Sequence, residues 1–132
     1  MATISFDLVS PENLIFNDEV GMIIVPGKDG DFGVLPGHSK VMSSLRPGRV
    51  MVYGEDKNIL KSFFVSGGFA EVNPEKCIVL AESVDELHTL EKSVIEKEIQ
   101  DLESQDSETT KEHLSIVRAK LDSLSSSFYE KI

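Results

Sequence analysis

Two different apolar periods divide this chain. Ile4, Phe6 and Leu8 alternate with Ser5 and Asp7, the period of two that turns one face of a strand toward a core. Short apolar segments of the same kind recur at 14–16, 20–25, 33–35, 41–45, 49–53, 59–65, 69–72 and 77–81. Between them stand Ser10-Pro11-Glu12-Asn13, Pro26-Gly27, Asp29-Gly30, Pro36-Gly37, Pro47-Gly48, the 55–58 run, Gly67-Gly68 and Asn73-Pro74. Such residues supply the positive or fixed φ of tight turns, so the spacing predicts an all-β sandwich of about ten strands built from hairpins.

After Pro74 there is no further Gly or Pro, and the spacing changes. Leu87, Leu90, Val94, Ile95, Ile99 and Leu102 cover about half of a helical surface, and Leu114, Val117, Leu121, Leu124 and Phe128 recur in 3-4-3-4 steps. These stripes predict two amphipathic helices. Ser83 or Asp85 can cap the first, and Ser107, Thr109 or Thr110 the second. The polar stretch 104–110 is short enough to return the chain as an antiparallel helical hairpin. The expected organisation is a β-sandwich over residues 1–84 and a helix-turn-helix over residues 85–132.

Charge narrows the partners. The 132 residues carry a formal net charge of -10, with 7 basic against 12 acidic residues in 1–85 and 6 against 11 in 86–132. Nucleic acid and anionic membranes select clustered Lys and Arg, so neither is an expected partner. Apolar runs such as 22–25 fall far short of the roughly 20 residues a membrane span needs. The first basic residue, Lys28, follows Asp7, Glu12, Asp18 and Glu19, the opposite of a secretory or organellar leader. Cys77 is the only cysteine, which excludes an internal disulfide and fits a reducing compartment.

The candidate chemical motifs are incomplete. Asp31-Phe32-Gly33 matches a kinase tripeptide without the glycine-rich loop, strand lysine or catalytic-loop pair that kinase chemistry needs. Glycines 27, 30 and 33 precede a predicted strand, whereas a phosphate cradle precedes a helix. Asp29 and Asp31 lack the further acidic ligands of a calcium loop. Gly37-His38-Ser39 lacks the second glycine of a nucleophile elbow. His88 and His113 have no ligands at metal spacing, and Cys77 reads as a small packed hydrophobe. The residues therefore point to a non-catalytic binding protein, with no metal or cofactor expected.

Gly30-Asp31-Phe32-Gly33-Val34-Leu35-Pro36-Gly37-His38 and Val65-Ser66-Gly67-Gly68-Phe69-Ala70-Glu71-Val72 resemble the two hallmark stretches of the epsilon subunit of bacterial F-type ATP synthases. Phe6-Asp7-Leu8-Val9-Ser10-Pro11-Glu12, Leu45-Arg46-Pro47-Gly48 and Val79-Leu80-Ala81-Glu82 are similar to that family's pattern in the same order and spacing. The resemblance implies a ten-stranded sandwich with a helical hairpin, a non-catalytic rotor part of the central stalk. Its partners would be the gamma subunit and the c-subunit ring, and its place the cytoplasmic face of the bacterial inner membrane. The residues 31–38 would face the c-ring and gamma, with Asp31 the acidic contact and His38 near gamma.

In the family the hairpin also restrains ATP hydrolysis through basic residues that meet the catalytic beta subunit within the alpha/beta assembly. Matching positions here are Lys111, Arg118 and Lys120, with Glu108, Glu112, Asp122 and Glu130 around them. Some members bind ATP through an Ile/Leu-Asp-x-x-Arg-Ala segment at the start of the first helix. Val84, Asp85, His88 and Thr89 occupy that segment here, with an imidazole where the permanently charged fork of a guanidinium belongs, so ATP binding is expected to be weak or absent. The two competing readings are a free-standing sandwich adaptor and a small enzyme using Asp31 with His38.

Overall fold

The computed structural model describes residues 2–105 and 108–125. Its ten strands are β1 (Ile4–Val9), β2 (Leu14–Val20), β3 (Met22–Gly27), β4 (Gly30–Val34), β5 (Val41–Leu45), β6 (Gly48–Tyr53), β7 (Ile59–Val65), β8 (Gly68–Val72), β9 (Lys76–Ala81) and β10 (Val84–Glu86). They form two layers. One is β10-β7-β6-β3-β4, and the other is β5-β8-β9-β1-β2, in which β1 lies parallel to β9. A single residue pair, Gly27 opposite Leu45, joins them in one ladder.

Alternation fills the space between the layers. Ile4, Phe6 and Leu8 of β1 meet Val50, Val52, Phe63 and Val65 of β6 and β7, together with Ala70, Val72, Cys77 and Val79. Phe16 tilts against Phe6 and packs edge-on to Phe63, with centroids 5.8 and 6.1 Å away. The sandwich predicted from the turn residues is therefore present. Gly21 divides what reads in sequence as one segment, 20–25, into β2 and β3. A Cβ there would lie 2.4 Å from the Gly54 carbonyl oxygen, so only glycine lets the chain pass.

Two helices follow, α1 (Lys92–Glu103) and α2 (Glu108–Ser125). They pack on each other, and the pairs His113 with Glu98, at 3.3 Å, and Arg118 with Glu103, at 3.8 Å, bridge them. The first helix starts later than its apolar spacing predicts. Asp85 belongs to β10, and Ser83 donates to Ser66 Oγ at 2.7 Å, so neither is the cap. Leu87 is buried in a 3-10 turn, Leu87–Thr89, beside β7, and α1 begins after Glu91 without a side-chain cap. Thr109 and Thr110 lie inside α2, while Ser107 and Phe128 fall outside the described residues. No described helix is long and apolar enough to cross a membrane.

Candidate functional site

The stretch from Asp31 to His38 is a strand before it is a loop. Asp31, Phe32, Gly33 and Val34 lie on β4, which pairs with β3 from Gly27 opposite Gly30 to Ile23 opposite Val34. The Arg46 guanidinium holds Asp31 by an ion pair and also donates to the Gly27 carbonyl. Backbone bonds from Lys28 to Ser44, 2.8 Å, and from Arg46 to Pro26, 3.0 Å, stitch this hairpin tip to the β5-β6 corner.

Leu35, Pro36, Gly37 and His38 continue past the other end of β4. There the Gly37 amide donates to the Pro74 carbonyl at 2.9 Å, and the His38 amide to Leu35 at 3.1 Å. Leu35 is exposed. With Met22, Pro36 and Tyr53 it lines a mainly apolar groove of about 580 Å³. Asp31 and His38 thus stand at opposite ends of one strand and cannot act on one substrate atom, which removes the two-residue catalytic site considered from sequence. No group of His, Cys, Asp and Glu able to hold a metal occurs among the described residues.

The outer faces of the two layers differ. On the first, Arg49 of β6, Phe64 of β7 and Asp85 of β10 lie side by side in register, and α2 packs over them with the Lys120 ammonium 5.5 Å from the Phe64 ring centroid. On the second, the ladder sets Phe69 beside Leu80, Leu80 beside Val9, and Val9 beside Leu14. Phe69 is 56% exposed, Leu80 51%, Leu14 61%, and Met42, two residues along β5 from the partner of Phe69, 76%. Four large apolar side chains on one sheet face that no other described element covers form a patch of the kind that marks a protein interface. Sequence reasoning did not single it out.

The degenerate nucleotide segment is closed by the chain's own groups. Val84 pairs with Val65 in the β10-β7 ladder. Lys120 Nζ lies 3.2 Å from Asp85 Oδ2. Glu86 accepts from Lys61 at 3.0 Å and faces His88 at 3.4 Å. The Lys61 hydrogen bond holds the Glu86 carboxyl below the ordinary range against desolvation, with the Lys61 charge adding to it. Thr89 Oγ1 turns back to the Glu86 carbonyl at 2.7 Å. Of the three cations suggested for a beta-subunit contact, Arg118 is paired with Glu103 and Lys120 with Asp85, and Lys111 is exposed on α2.

The model of the ATP synthase delta/epsilon chain β-sandwich domain matches residues 3–86. The chain is 42% identical to the ATP synthase epsilon chain of Rhodospirillum centenum, over 93% of this chain and 92% of that one. Its identity to the Rhodospirillum rubrum epsilon chain is 41%, covering 83% and 81%, and to that of Parvibaculum lavamentivorans 46%, covering 73% and 72%. Among solved structures, a chain of the Euglena gracilis mitochondrial ATP synthase OSCP/F1/c-ring assembly matches with a TM-score of 0.81 at 22% identity, covering 95% of this chain and 81% of that chain. One from the Tetrahymena thermophila mitochondrial ATP synthase central stalk and c-ring matches at 0.64 and 15% identity, covering 92% and 96%. At these identities the structural likeness speaks for the fold.

Proposed function

Because the chain belongs to the ATP synthase delta/epsilon family, we propose that it is a non-catalytic rotor subunit of the central stalk, coupling proton flow through the c-ring to ATP synthesis together with gamma. The observation that carries this reading is the uncovered apolar face of Met42, Phe69, Leu80 and Leu14. The described residues cover the outer face of the first layer with α2 and leave this one bare, as a subunit built to seat on another protein would. The functional division falls at 84/85, within β10: the sandwich, residues 1–84, docks and couples, and residues 85–132 regulate.

In this reading the face of Phe69 seats on gamma, and β4 with its Arg46-clamped Asp31 approaches the polar loops of the c-ring. The complex would then lie on the cytoplasmic side of the bacterial inner membrane. No nucleotide is required, since Asp85 and His88 are engaged within the chain. The helices restrain hydrolysis only when released toward the alpha/beta subunits.

Co-purification with gamma and the c-ring from native membranes tests the reading. Phe69→Glu leaves the sandwich folded, because the side chain already faces solvent, and is expected to weaken gamma binding at least tenfold. Full binding by Phe69→Glu and Met42→Glu, or no recovery of gamma with the parent chain, would overturn it. Deleting residues 86–132 and assaying hydrolysis by the reconstituted complex tests the restraint, which unchanged hydrolysis would refute.

A further inference from the structure

We infer that Lys120 is a latch that holds α2 against the sandwich, and that the hairpin detaches when this one cation is withdrawn. The socket is preformed by the sheet. Pairing of β10 with β7 places Asp85 directly opposite Phe64, so a carboxylate and an aromatic face stand side by side on the outer surface of the first layer. Lys120 enters between them, with Nζ 3.2 Å from Asp85 Oδ2 and 5.5 Å from the Phe64 centroid. The Phe64 residue is left 1% exposed and the Lys120 side chain 21%. An ammonium over a ring face, partly desolvated and paired with a carboxylate, combines two attractions that are each weak on an open surface.

The rest of the docking face leaves this pair a large share of the contact. Lys120 stands three residues after Val117 and three before Ser123, one stripe along the helix. Beside it on α2 are Ala119 and Ser123, and Ser123 Oγ turns inward to the Ala119 carbonyl at 2.9 Å. The larger apolar residues of the helix recur on the spacing of Leu114, Val117, Leu121 and Leu124, the stripe available to α1. Apart from Val117, which is buried with Phe64, the side chains of the docking face are small or polar and bury little apolar area, so the ammonium over Phe64 and Asp85 supplies much of what holds the helix. Lys120 is also one of the three residues through which the hairpin would meet a catalytic subunit. It cannot serve Asp85 and a partner's carboxylate together, so an acidic partner surface and the sandwich compete for the same ammonium. This regulatory role rests on the proposed function, whereas the latch itself rests on the geometry alone.

The experiment uses the full chain in isolation, which keeps its failure separate from any failure of the stalk assignment. Spin labels at Ser115→Cys on α2 and Glu71→Cys on β8, both exposed, report the helix-to-sandwich distance, with Cys77 buried away from the reagent. Lys120→Asp is expected to lower the docked-to-detached ratio about tenfold, equal to about 1.4 kcal/mol. Asp85→Lys alone should do the same, and Asp85→Lys combined with Lys120→Asp should recover part of the docked population, with the ion pair back and the ammonium over Phe64 lost. Raising salt from 0.05 to 1 M should shift the parent chain toward detachment and Lys120→Asp toward docking, because screening weakens an attraction in the first and a repulsion in the second. A docked distance that survives Lys120→Asp, or a reversed pair no more docked than either single variant, overturns the latch.

Discussion

Replacing Gly68 by alanine isolates the physical content of the Gly67-Gly68 pair. Both glycines have positive φ, +133° at Gly67 and +141° at Gly68, where an L side chain is strained by about 1–3 kcal/mol. They differ in what a Cβ would meet. At Gly67 the nearest atom is the Leu45 carbonyl oxygen at 3.6 Å, an ordinary contact. At Gly68 it is the Leu80 carbonyl oxygen at 2.0 Å, with Ala81 Cα at 2.9 Å. Both belong to β9, which pairs with β8 there, Gly68 opposite Ala81. Relief requires the two strands to part by about 1 Å or more, which breaks ladder bonds worth about 1 kcal/mol each and loosens Ala70 and Ala81 in the core. Gly67→Ala should therefore cost about 2 kcal/mol, and Gly68→Ala about 4 kcal/mol, a large part of the 5–15 kcal/mol available to a domain. Urea titration followed by far-UV circular dichroism measures both, as the chain has no Trp. A difference between the two variants below about 1 kcal/mol would refute the clash argument.

Two further outcomes follow from buried and paired groups. Burial pushes the Cys77 thiol up to about 12, so the thiolate is withheld from solvent. Labelling by an aromatic disulfide at pH 8 is expected only through opening, about 100-fold slower than in urea, and prompt labelling of the native chain would contradict this. Since the folded state holds that proton more tightly, the contribution is complete below the unfolded value, about 8.5, and is lost as pH rises toward the folded one. Cys77→Ala should flatten the alkaline arm of the stability profile. Asp7 shows the opposite sign. The Asn17 hydrogen bond lowers its carboxyl despite some desolvation, with Lys76 at 3.1 Å adding to the effect. This stabilisation is present above the unfolded value and lost as pH falls through the folded one. Asn17→Ala should raise the Asp7 midpoint in a carboxyl NMR titration, and an unmoved midpoint would assign the shift elsewhere.

Turn chemistry made most of the sandwich readable in advance, because Gly, Pro, Asn and Asp stand where hairpins close. β10 was not readable, since a three-residue strand with one apolar member has no period. The start of α1 was misplaced for a related reason: Leu87 and Leu90 fit a helical stripe, yet Leu87 spends its side chain beside β7. The pairing of layers was also invisible, as a period of two fixes which residues share a face and leaves open which face is inward. In Phe69-Ala70-Glu71-Val72 the fold buries Ala70 with Val72 and leaves Phe69 outside with Glu71.

That choice of phase points to where function lies. The phase keeps Glu71 out of the core and Val72 in it, and what folding alone does not call for is an aromatic ring at the outward position 69. Placing Met42, Phe69, Leu80 and Leu14 on one open face exposes apolar area that folding alone would bury, which makes sense when a second protein covers it. Lys120 departs from expectation in the other direction, a cation drawn from solvent onto an aromatic and a carboxylate. The two departures lie on the outer faces of opposite layers. Phe69→Glu should therefore weaken seating on a partner without detaching the hairpin, and Lys120→Asp should detach the hairpin without weakening that seating.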